Sequence, residues 1–160
     1  MSARQITVFL NPGEYFVGDE GYRISTLLGS CVSITLWHPE RLIGAMSHFV
    51  LATRGRTLET PDGRYGDEVL ELMIGELAAL DIKATDCKAK IFGGGNMFTY
   101  QATGTPIDIG KRNGEAARRL LQLHRIPIAS ESLFGRGHRK IVFDIRTGHV
   151  WSRHAEQSLK

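Results

Sequence analysis

A chain of 160 residues with 42% hydrophobic and 23% charged residues has the size and composition of one globular domain with a sizeable core. Twenty basic residues against seventeen acidic ones leave a net charge of +3, spread along the chain without the dense basic footprint of a nucleic-acid binder. The apolar runs are too short to span a bilayer, the opening MSARQITVFL lacks the apolar core of a signal peptide, and two cysteines with no mark of export point to a reducing cytoplasm.

In chain order, QITVFL and RISTLL read as strands, and VSITLW follows closely. In the last of these Val32, Ile34 and Leu36 point one way, and Cys31, Ser33 and Thr35 the other. HPERL is a turn, with Pro39 fixing φ among polar neighbours. IGAMSHFVL is then a strand with Met46, His48 and Val50 on one face, so the front of the chain is expected to form a meander or hairpin. Residues 52–66 are a long polar loop. Asp67 opens a helix whose Val69, Leu70, Met73, Leu77 and Leu80 recur at helical spacing. AKIFGGG is a buried strand running into three glycines.

Asn113 is the expected N-cap of a second helix, GEAARRLLQLH, with Ala117, Leu120, Leu121 and His124 on its inner face and Pro127 as its stop. RKIVFDIRTGHVWSRH closes the chain as a hairpin around RTG, and the tail at 155–160 is expected to fray. Strands with two amphipathic helices, without regular βαβ alternation, predict a layered α/β domain over residues 1–160. Its sheet is mainly antiparallel and sandwich-like, flanked by two main helices, rather than a doubly wound parallel one.

The chemistry turns on Cys31, set after Gly29-Ser30 at the start of a strand. A thiol becomes a strong nucleophile beside a base, commonly histidine, and His48 lies on the next predicted strand. If those strands pair across HPERL the two side chains share one sheet, although a slip of one residue would put His48 on the opposite face. Gly29 admits a close approach and local amides suit an oxyanion. A lone strand cysteine is more often buried filler, and that reading of Cys31 stays open on spacing alone. Cys87, with no glycine frame, reads as structural. His38, His138, His149 and His154 lack paired ligand spacing, so no metal site is expected.

STLLGSCVSITLWHPERLIGAMSHFVL resembles the signature of the CheD family of chemoreceptor glutamine deamidases, with its Gly-Ser-Cys and its later Gly-Ala-Met-x-His strand. AKIFGGGNMF, IGKRNGEAARRLL and ETPDGRYGDEVLELMIGEL resemble further family segments, so the likeness runs through residues 13–153. It implies a cytoplasmic, cofactor-free protein-glutamine glutaminase of bacterial chemotaxis. Its substrates would be methyl-accepting chemotaxis receptors at their arrays, without nucleic acid or membrane insertion, on a fold like that of cytotoxic necrotizing factor-type deamidases. Cys31 and His48 fall on the family's nucleophile and base. The third catalytic residue falls on Ser25, or on Thr26 after a shift of one residue. Gly29, Ser30, Gly93, Gly94, Gly95, Met97 and Phe98 are the expected substrate- and partner-binding positions, with the glycines forming a bare loop. The resemblance also implies association with CheC, a phosphatase of phosphorylated CheY. The alternatives are therefore an adaptor that binds CheC and receptors without chemistry, or another amidase or protease using the same dyad.

Overall fold

The computed structural model describes residues 4–55, 59–97 and 108–155. Among these residues the strands form two sheets, mostly antiparallel. The first sheet contains β1 (Ile6–Phe9), β3 (Tyr22–Leu28), β8 (His138–Asp144) and β9 (Val150–Ala155), in the order β1-β3-β8-β9. The second contains β2 (Tyr15–Asp19), β4 (Val32–His38), β5 (Ile43–Ser47), β6 (Lys88–Gly93) and β7 (Ile128–Leu133), in the order β2-β5-β4-β6-β7. Helices α1 (Gly66–Ala79) and α2 (Ile109–Leu123) cover the second sheet on the face away from the first. The layering is helix, sheet, sheet.

Two cores follow from the alternation of β4. Val32, Ile34 and Leu36 meet Val69, Leu70, Met73, Leu77, Ala117 and Leu121 of the helices. Cys31 and Trp37, on the opposite face, pack with Ile24, Leu28, Met46, Phe92 and Phe143 between the sheets. Both faces of β4 are therefore covered, which explains its buried pattern without a solvent side.

The expected front meander does not form as one unit. Within it β4 and β5 do make the hairpin, while β3, directly before β4, belongs to the other sheet and pairs with β8 and, in parallel, with β1. The chain changes sheet at Gly29-Ser30-Cys31. This division follows from burial. β4 needs cover on two faces, whereas β3 leaves Leu27 exposed on its outer side.

Two strands escape sequence reading, each for a local reason. β2 is short, carries Gly18 and ends at the tight Glu20-Gly21 turn. β7, IASESL, is polar because it lies at a sheet edge and buries no full face.

Helix α1 buries Val69, Leu70, Met73 and Leu77 as expected, but Leu80 is its C-cap and is 43% exposed. Helix α2 starts earlier than expected. Asp108 is the N-cap, its Oδ1 accepting the Lys111 N–H at 2.9 Å, and Asn113 lies inside the helix. Ala117 and Leu121 face the core, whereas Leu120 is half-buried and His124 forms the C-cap. Arg125, at φ +59°, turns the chain before Pro127 is reached. The hairpin of β8 and β9 around Arg146-Thr147-Gly148 is present.

The polar loop before α1 is tied to the helix by a fork. Arg54 Nε donates to Glu68 Oε2 and Nη2 to Oε1, both at 2.8 Å, and Glu68 is 1% exposed. Glu68 Oε1 also accepts the Asp62 N–H at 3.1 Å. Removing the cation leaves a buried carboxylate uncompensated. Arg54→Met is therefore expected to lower the urea midpoint clearly, and adding Glu68→Met to recover most of that loss. A double variant as unstable as the single one would mean that packing of the loop, not charge, is what Arg54 supplies.

Candidate active site at the seam of the two sheets

Cys31 occupies the point where the chain leaves one sheet and enters the other. It is partly exposed, and its side chain is directed between the sheets. The turn is held by its carbonyls. Gly95 N–H donates to Gly29 O, Asn113 Nδ2 to Ser30 O, and Gly94 N–H to Cys31 O, at 2.9, 3.0 and 2.9 Å. The glycines permit this closeness. A Cβ on Gly93 (φ +109°) would stand 2.3 Å from Cys31 O, and one on Gly110 would stand 2.3 Å from Gly95 O. Arg139, itself buried, donates to Gly93 O at 3.2 Å and to Phe134 O, fixing the same strand end.

The register between β4 and the segment after β5 places the histidine. Val32 and Phe49 exchange both backbone hydrogen bonds, at 3.1 and 3.0 Å. Ser33 is therefore opposite His48, and Cys31 is its diagonal neighbour on the face toward the first sheet, at a Cα separation of roughly 7–8 Å. From across the sandwich Thr26 completes the contact, with its Oγ1 2.7 Å from His48 Nδ1. The same hydroxyl donates to Leu10 O at 2.7 Å. A carbonyl only accepts, so the Thr26 proton is committed to Leu10. Its oxygen then accepts from Nδ1–H, which leaves Nε2 as the free base of a neutral imidazole.

Burial sets the protonation states. His48 is 2% exposed and burial lowers it from 6.5 to about 4, against weaker raising effects from the Leu10 carbonyl and the Glu14 charge. Burial raises the Cys31 thiol above its ordinary value. The resting pair is a thiol and a neutral imidazole rather than an ion pair. Such an arrangement suits acyl transfer from an amide, with the base removing the thiol proton as the sulfur attacks.

The other positions fall as follows. Ser25 lies on the outward side of β3 with Arg23 and Leu27, whereas Thr26 shares the inward side with Ile24 and Leu28, so the strand pleat brings Thr26 to the histidine. Gly93, Gly94 and Gly95 are buried against the cysteine turn, so the expected bare loop is not there. The space over Gly29 is taken by Met97, whose Cγ and Sδ would lie 3.3 Å from an added Cβ. Met97, Ser30, Gly95, Asp108, Ile109 and Gly110 line a small cavity of about 110 Å³ beside the turn. Phe98 lies outside the described residues. Cys87 is 1% exposed in the helix-side core, and burial with the Asp86 charge pushes its thiol up to about 11. Sequence reasoning missed the Asn113 bonds to Ser30 and, at 2.9 Å, to Val50 O, because a helix-interior asparagine gives no sign of what it reaches.

The fold and the site define a layered α/β protein with a thiol and an imidazole on one sheet face. A family model described as CheD chemotactic sensory transduction matches residues 50–154. The Cys31 and His48 segment precedes that match, and similarity to whole relatives covers it. Over 151 residues the chain is 59% identical to a protein of Albidiferax ferrireducens named probable chemoreceptor glutamine deamidase CheD 2, covering 93% of this chain and 87% of that one. A Dechloromonas aromatica protein named probable chemoreceptor glutamine deamidase CheD 3 is 48% identical over 145 residues, 90% of this chain and 85% of its own. A Pseudomonas syringae pv. tomato protein named probable chemoreceptor glutamine deamidase CheD is 41% identical over 150 residues, 93% of this chain and 89% of its own. The chain belongs to the CheD family. Among the described residues no helix is long and apolar enough to cross a membrane.

Proposed function

We propose that this protein deamidates glutamine side chains of chemotaxis receptors to glutamate, with Cys31 as nucleophile, His48 as base and Thr26 orienting the imidazole. The observation that carries the reading is the hydrogen-bonded Thr26–His48 pair with Cys31 on the same face. His48 Nε2 takes the thiol proton as Cys31 Sγ attacks the amide carbon. The carbon–nitrogen bond then breaks, and His48 returns the proton to the leaving nitrogen, which departs as ammonia. Water attacks the thioester, its proton passes to Nε2, and the thiolate leaves and is reprotonated. One amide nitrogen is exchanged for oxygen, and at neutral pH the receptor gains one negative charge. Every group the reaction requires is on the chain, so the proposal includes no cofactor.

The partly exposed thiol at a seam, rather than deep in a closed pocket, supports a protein substrate, and the proposal places the reaction in the cytoplasm at receptor arrays because chemotaxis receptors are its substrates. The proposal extends to a likeness in fold to cytotoxic necrotizing factor-type deamidases, which a thiol and an imidazole presented on one sheet face would suit. Purified receptor incubated with the protein is the test. Ammonia release with the mass change of glutamine to glutamate at defined positions supports deamidation, and a cleaved receptor would make the protein a protease. An unchanged receptor together with binding of CheC would make it an adaptor.

A further inference from the structure

Three consecutive carbonyls of the cysteine turn are pinned, and each pin fixes a peptide plane. A trans peptide is planar, so its C=O and N–H point in opposite directions, and no peptide bond here is cis. Asn113 Nδ2 holds Ser30 O at 3.0 Å, and the N–H of that same peptide belongs to Cys31. Gly95 N–H holds Gly29 O at 2.9 Å, and the N–H of that peptide belongs to Ser30. Among the described residues neither the Ser30 nor the Cys31 N–H has an acceptor on the protein. These donors belong to the nucleophile and to the residue before it, where an amide carbonyl develops negative charge as sulfur attacks.

Asn113 does more than hold the turn. It is 1% exposed, and its Nδ2 also donates to Val50 O at 2.9 Å, two residues beyond His48. One amide group thus fixes the peptide that carries the Cys31 N–H and ties it to the strand segment that carries the base. We propose that the Cys31 N–H, assisted by that of Ser30, is the oxyanion donor of the reaction, and that Asn113 is the positioning residue that aims it. This assigns the oxyanion site within the proposed deamidase reading and rests on Cys31 being its nucleophile.

The test separates oxyanion stabilisation from thiol reactivity and does not require the receptor. Acylation of Cys31 by p-nitrophenyl acetate passes through a tetrahedral oxyanion, whereas alkylation by iodoacetamide displaces iodide at a saturated carbon and forms none. Asn113→Ala is expected to slow the p-nitrophenolate burst by ~10²-fold, the scale of losing one such donor. Alkylation of Cys31 should stay within about twofold of wild type if no oxyanion is involved. Asn113→Ser, which keeps one donor on a shorter arm, should restore part of the acylation rate, and it is the variant to read if the alanine form does not fold. Circular dichroism and melting establish the folded state of each. Receptor deamidation should fall in parallel with acylation through kcat, with KM little changed.

Acylation and alkylation falling together would make Asn113 merely structural, and acylation unaffected by either variant would remove it from the oxyanion site. A wild type that is not acylated would also overturn the assignment. A wild type that is acylated normally but leaves receptors unchanged would overturn the substrate reading and leave the oxyanion assignment standing.

Discussion

Cys31→Ala is expected to lower receptor deamidation by at least ~10⁴-fold, because without the thiol no covalent intermediate forms and only binding and dipoles remain. The fold should survive. The three hydrogen bonds of the turn are made to main-chain carbonyls of Gly29, Ser30 and Cys31, none of which depends on the sulfur. Cys87→Ala provides the contrast. That thiol is buried in the helix-side core, so its loss costs packing and should leave turnover close to wild type. Turnover retained in the Cys31 variant, with an unchanged melting curve, would sink the thioester mechanism whatever the family of the chain.

His48→Ala should cost at least ~10²-fold, the usual contribution of a positioned general base. The two candidate hydroxyls are expected to separate sharply. Thr26→Ala removes the group that accepts from Nδ1 and should follow the His48 variant part of the way down. Ser25→Ala, on the outward side of β3, should be nearly silent. The pH profile adds a second reading. His48 acts as base only when neutral, and burial holds it at about 4 rather than 6.5. The kcat/KM of deamidation should therefore stay level as pH falls through 6.5 and drop only as it approaches 4, since this quantity reports the free enzyme. An acid limb centred near 6.5 would mean that the working imidazole is far more solvated than His48 is here. Because the Cys31 thiol is raised, alkylation should still be climbing with pH at the ordinary thiol value of 9.0.

The sequence was sufficient for whatever depends on short-range pattern. The alternation in VSITLW separated Val32, Ile34 and Leu36 from Cys31, Ser33 and Thr35, and those two sets do face different cores. The helical spacing of Val69, Leu70, Met73 and Leu77 marked the buried stripe of α1, and RTG marked the closing hairpin. Local signals also point to the wrong place when a stronger one lies nearby. Asn113 is a good capping residue, yet Asp108 caps the helix and Asn113 reaches across to Ser30 and Val50. The likeness to CheD proteins, carried by Gly-Ser-Cys and the later histidine strand, made Cys31 and His48 candidates that alternation alone left beside an ordinary buried cysteine.

Only the tertiary structure decided which groups meet. That β3 and β4 part into different sheets at Gly29-Ser30-Cys31 depends on long-range pairing with β8 and β6, which no window of sequence contains. The side of the sheet on which His48 lies was decided by the Val32–Phe49 pair, since a slip of one residue would reverse it. Thr26, rather than Ser25, meets the imidazole because the two sheets pack face to face and only the inward side of β3 can cross the gap. A strand's own period determines which residues share a face. What that face touches is settled by the packing of whole sheets, and the contact between Thr26 and His48 belongs to that second kind of fact.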